Sequence, residues 1–155
     1  MRFAALVVLA VCGCSQMSLR AGAVFVGDRP AFQTTVDVGI ALDATHRAFH
    51  ASTEHGIEVG SRTSYVEATN VDLVELDPDA GLTARIGARL RGVVRDDKFA
   101  SSAFEARGAF YTIPFKDKRS SSGFGVELAG GIQSEPTIQP IFEASFVMSS
   151  KWRID

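Results

Sequence analysis

The feature that most constrains this chain is a two-residue rhythm. Leu82, Ala84, Ile86, Ala88 and Leu90 alternate with Thr83, Arg85, Gly87, Arg89 and Arg91. Phe104, Ala106, Gly108 and Phe110 alternate with Glu105, Arg107, Ala109 and Tyr111. The rhythm returns at Phe124 to Gln133, at Phe142 to Ser149 and, earlier, at Thr34 to Leu42. Successive side chains of a strand point to opposite faces, so each segment predicts a strand with one apolar and one mixed face. Ala21–Val26, His46–Ser52, Ile57–Val66 and Val71–Leu76 are further strand candidates. No segment carries convincing helical spacing.

Turn chemistry punctuates the strands at Gly27-Asp28-Arg29-Pro30, Asp43-Ala44-Thr45, Thr53-Glu54-His55-Gly56, Asp77–Gly81, Arg95–Lys98, the polar stretch Phe115–Ser122, and Ser134-Glu135-Pro136. Eight or nine strands joined by short hairpins predict an all-β fold, an antiparallel up-and-down β-barrel of about eight strands. Closure also removes the free edges that invite aggregation.

The N-terminus carries a different signal. Arg2 is followed by the apolar run Phe3–Val11, too short to span a bilayer, and then by Val11-Cys12-Gly13-Cys14-Ser15. This layout is that of a secretory signal peptide. Gly13-Cys14 resembles the lipobox of bacterial lipoproteins, in which a small residue precedes the Cys that is lipidated and becomes the new N-terminus. Cys12 departs from the residue usual in that motif. The resemblance implies a signal peptide over residues 1–13, a lipidated Cys14 with a short linker over 14–20, and a barrel domain over 21–155. A conventional signal cut near Cys14, or between Cys14 and Ala21, is the alternative. Cys12 and Cys14 are the only cysteines, so the domain has no disulfide to rely on.

Acids and bases are mixed, with a net charge of −2 and no basic stripe, which excludes nucleic acid as the expected partner. Membrane lipid and an envelope protein are the partners the pattern admits. Which face points inward decides between them. The mixed face holds Asp37, Arg85, Arg89, Arg91, Glu105, Arg107, Glu127 and Glu143 beside many small residues. Directed inward, these residues fill a narrow lumen as ion pairs, and the apolar face meets lipid. That pattern resembles small bacterial outer-membrane barrels along roughly residues 33 to 149. Arginine outnumbers lysine on this face, which suits fixed multidentate pairing. Phe32, Phe104, Tyr111, Phe115, Phe124 and Trp152 then sit where an aromatic girdle belongs. The chain ends Trp152-Arg153-Ile154-Asp155 rather than on the aromatic residue typical of such barrels.

Directed the other way, the domain is a soluble, lipid-anchored barrel binding an apolar ligand or an envelope partner. Phe110, Phe142 and Phe146 then line its core or pocket. Lipocalin-like lipoproteins are the pattern for that reading, but their Gly-x-Trp near the first strand is absent here. A third reading is a hydrolase: His50-Ala51-Ser52 resembles the His-x-Ser pair of lipid A deacylases, which would make Glu58 or Glu67 the orienting acid. No Asn follows the Ser, as that family's pattern expects. His46 and His50 share a strand face and are the metal candidates, with Glu54 nearby. Phosphate loops, zinc signatures and nucleophile elbows are missing, and no cofactor is expected.

Overall fold

A computed structural model describes residues 14–43, 47–77, 82–116, 120–135 and 137–153. Eight antiparallel strands follow one another around a closed barrel: β1 (Cys14–Val26), β2 (Arg29–Asp43), β3 (Arg47–Val59), β4 (Thr63–Asp77), β5 (Leu82–Arg95), β6 (Lys98–Lys116), β7 (Ser120–Glu135) and β8 (Thr137–Arg153). Each strand pairs with its neighbours in sequence, and β1 closes the ring on β8. Following paired residues once around from Met148, through Leu19, Val36, His55, Glu67, Gly92, Ser102 and Ser134, returns to β8 at Ile138, ten residues away. That stagger goes with strands tilted by roughly 35–45° to the barrel axis.

Two hairpins show why the chain reverses where it does. Asp96 and Asp97 both adopt positive φ, 52° and 59°, the backbone of a two-residue turn whose twist suits the flanking strands. Gly27, at φ 60°, turns β1 into β2.

The structure corrects several boundaries. β1 begins at Cys14, so residues 14–20 are strand and not linker; Gln16, Ser18 and Arg20 face inward between β2 and β8. Thr53–Gly56 is the middle of β3 and not a turn, and the reversal falls at Gly60–Arg62. Both faces of this stretch are polar, which hid its alternation. The expected loop Phe115–Ser122 is strand at both ends, because Phe115 pairs with Ser122 and Lys116 with Ser121. Residues 117–119, residues 1–13, which carry the expected signal, and His46 lie outside the described residues.

The barrel is inside out relative to a soluble domain. Its largest fully buried side chains include Arg20, Arg89, Arg91, Glu54 and Glu105. Its exposed surface carries a wide belt of Phe, Leu, Ile, Val and Met, with Ile86 69% and Phe110 71% exposed. Phe142 and Phe146 are also on the outside, so the three phenylalanines of the soluble reading line no internal pocket. Tyr111 departs from the aromatic girdle: it is buried in the lumen.

Candidate functional site: the charged lumen

Every strand sends at least one charged side chain inward, because the mixed face of each alternating segment is the concave one. Among the described residues the lumen holds five buried arginines, Arg20, Arg85, Arg89, Arg91 and Arg107, against six buried carboxylates, Asp37, Glu54, Asp72, Glu105, Glu127 and Glu143. Near-equal numbers allow mutual neutralisation, the condition under which buried ions are tolerated.

Arg89 is the hub. Nη2 donates to Glu127 at 2.7 Å, Nη1 donates to Glu105 at 3.2 Å and to Glu143, and Nε donates to the Asn70 amide oxygen at 3.2 Å. Arg20 bonds Asp37 at 2.7 Å and Glu54, and lies 3.4 Å from Glu127. Glu54 also accepts from the Thr35 hydroxyl at 2.5 Å and from the Asn70 amide at 3.3 Å. Arg107 bridges Asp72 at 3.1 Å and Glu127 at 3.2 Å. A fork of five N–H donors suits this many-partnered role, which an ammonium on a flexible stem does not fill.

The network has two ends. Toward the end that carries Cys14 and Arg153, Arg85 reaches Asp72 at 3.5 Å and lies over the Tyr111 ring at 4.9 Å from its centre. A mouth there offers about 60 Å³ to water centres and is lined by residues including Gln16, His50, Thr83, Arg85 and Tyr111. That is room for a few waters. Toward the other end, Arg91 holds Glu58, Gln33 at 3.1 Å and Gln133 at 3.0 Å. Beyond it, buried Val24, Ala103 and Ile141 pack together as an apolar stopper, with Val26 against them. Val66 and Val93 are buried on neighbouring strands. The lumen is therefore filled, with ions through its middle and hydrocarbon across one end.

All eight residues read from the sequence as lumen candidates are buried here, and each has an ionic partner. Arg20, Glu54 and Asp72 were missed, as was the polar Asn70. Arg20 fell in the supposed linker and Glu54 in the supposed turn. The signal was present, since Gln16, Ser18 and Arg20 alternate with Met17 and Leu19.

The hydrolase residues do not assemble. His50 is buried at the terminal mouth, and Ser52 accepts a hydrogen bond from Asn70 at 3.3 Å. Glu58 lies eight residues along β3, roughly 26 Å away at 3.3 Å per residue, and pairs with Arg91. Glu67 points outward and pairs with His55. Among the described residues no group of three or more potential ligands is arranged to hold a metal ion.

No protein-family model matches the sequence, and no curated protein matches it significantly. Among solved structures the fold is similar to that of Neisserial surface protein A (NspA), with a TM-score of 0.68, 8% identical residues, and coverage of 91% of this chain and 96% of that chain. At that identity the likeness defines a shared architecture, the eight-stranded β-barrel.

Proposed function

We propose that this chain is an integral outer-membrane β-barrel of a bacterial envelope, with a structural or interaction role and a filled lumen. One observation carries the reading: the barrel buries its ions and exposes its hydrocarbon. In water the belt of exposed Phe, Leu, Ile and Val would be a large aggregation hazard, whereas in a bilayer it is the solvated surface. A closed barrel also satisfies its backbone groups internally, as hydrocarbon requires. The fold shared with a Neisserial surface protein supports the same reading.

Export by the N-terminal signal, with lipidation at Cys14, belongs to this proposal. On this reading the position of the cut matters to the barrel wall. Gln16, Ser18 and Arg20 are inward-facing wall residues, so a cut between Ser15 and Ala21 would remove part of β1 and open its seam with β8. Cleavage ahead of Cys14 preserves the whole wall. Intact-mass measurement of the mature protein should show a chain beginning at Cys14 with a diacylglyceryl addition.

The experiment that tests the membrane assignment is carbonate washing of membranes from cells making a Cys12→Ala, Cys14→Ala chain behind a conventional cleavage site. Retention in the outer-membrane fraction is expected. Release to the soluble periplasm would mean that lipid was the only anchor, and would overturn the integral reading.

A further inference from the structure

The outer belt is not apolar throughout. On β3 and β4 the outward-facing residues Thr53, His55, Glu67 and Thr69 are polar. The His55 and Glu67 side chains are 50% and 54% exposed, and His55 Nδ1 lies 3.7 Å from Glu67 Oε1. A 2.9 Å hydrogen bond links Nδ1 with the Tyr65 hydroxyl. Both contacts use Nδ1, and neither uses Nε2.

These residues are not at the rim. Along β3, exposed Phe49 lies to one side of the patch and exposed Ile57 and Val59 to the other; along β4, Val71 and Leu73 lie to one side and Tyr65 to the other. Around the barrel, His55 pairs with Val36 on β2, and Thr69 with exposed Leu90 on β5. Among the described outward-facing residues away from the turns, Glu67 is the lone carboxylate. Polar and ionisable groups within the hydrocarbon depth are expensive and nearly always face protein or water.

We propose that this patch is the contact surface of a membrane-embedded dimer, its occupant a second copy of this chain. The proposal rests on the membrane reading above. Two barrels inserted in the same sense are related by a two-fold axis along the membrane normal, which makes their contact surface self-complementary. With that axis between β3 and β4, β3 of each copy faces β4 of the other. His55 and Glu67 are register partners within one chain, so the tilt of the strands offsets their depths by only about 3 Å, within reach of their side chains. With the axis passing between His55 and Glu67, the two-fold sets His55 opposite Glu67 of the second copy, twice, while the tilted strands cross there and Thr53 and Thr69 flank the contact. Donors meet acceptors, and the Nε2 edge that each chain leaves unused gains the second copy's carboxylate. A shallow groove beside the patch, with about 340 Å³ for water centres and walls that include Thr69, Leu90 and Phe99, leaves room for the facing side chains.

The test folds the mature chain, carrying Cys14→Ala and a dye-labelled Asp28→Cys in the first hairpin, into lipid vesicles. Energy transfer between donor- and acceptor-labelled chains is followed as lipid dilutes the protein. The wild-type surface should give transfer that declines with dilution as a monomer–dimer equilibrium. The double variant His55→Leu/Glu67→Leu makes the belt uniformly apolar, so it should insert at least as well while its dissociation midpoint shifts roughly tenfold toward monomer. The exchanged variant His55→Glu/Glu67→His, which keeps one donor and one acceptor at each contact, should dimerise like the wild type. A chain that resists carbonate extraction yet stays monomeric at every ratio overturns the proposal, and leaves a lipid headgroup or another envelope protein as the occupant. Unchanged dimerisation of the leucine variant overturns it equally. A chain that fails the carbonate wash instead overturns the membrane reading, independently of the energy-transfer signal.

Discussion

At the residue scale the barrel depends on arginines with several partners each. Removing Arg89 would take from Glu105 the arginine it pairs with, and would leave Glu127 to Arg107 and Arg20 and Glu143 to Arg91, in a site that is 1% exposed. Breaking a buried pair from one side is far costlier than replacing both partners. Arg89→Leu should therefore cost about 3–5 kcal/mol of folding stability, read as a lower urea midpoint for the detergent-folded barrel. An unchanged midpoint would count against a closed ionic lumen. Glycine matters for a different reason at Gly131: a Cβ there would drive into the backbone of Phe104 and Glu105 on the adjacent strand. Gly131→Val should lower stability by about 1–3 kcal/mol, through overpacking of the β6–β7 seam. Gly130, the next residue, has ordinary room on the outer face, so Gly130→Ala is the matched control and should fold like the parent.

At the element scale, legibility in the sequence followed the contrast between the two faces of each strand. β5, β7 and β8 carry apolar residues on one face and Arg, Glu, Gly or Ser on the other, and their alternation is plain in the letters. β3 carries Thr53 and His55 outward and Glu54 inward, so its middle reads as a polar turn although it is continuous strand. What hid β3 is what marks its outer surface as unusual. β1 is legible only in part because a lipobox-like stretch adjoins it, although Met17 and Leu19 against Ser18 and Arg20 already have the strand period. The members of the ionic network on clean strands were readable as candidates. Their pairing was not, because partners such as Arg89 and Glu143 stand 54 residues apart and meet only through closure and stagger. The apolar face makes its own prediction. Leu128 is exposed on β7, flanked by exposed Val126 and Ile132. Leu128→Lys should destabilise the bilayer-folded barrel by about 2–4 kcal/mol, measured by reversible denaturation in vesicles. A negligible cost would mean that this face does not meet hydrocarbon.

At the scale of the whole molecule, closure, burial and charge point one way. Eight strands leave an interior wide enough only for side chains, and here those side chains are mutually neutralising ions with Val24, Ala103 and Ile141 across one end. The protein should show no steady open-pore conductance in planar bilayers; sustained ohmic channels would contradict a filled lumen. Opening the stopper by Ile141→Gly leaves Arg91, Gln33 and Gln133 still spanning the lumen, so that variant should also remain closed. The measurement that tests the central claim most directly is spin-label accessibility along one strand of the vesicle-reconstituted barrel. Labels placed singly at Phe124, Val126, Leu128 and Ile132 should be accessible to dissolved oxygen and shielded from a water-soluble nickel reagent, as lipid-facing sites are. If the nickel reagent reaches all four freely while the barrel remains folded, the apolar belt faces water, and the account of an inside-out membrane barrel is wrong.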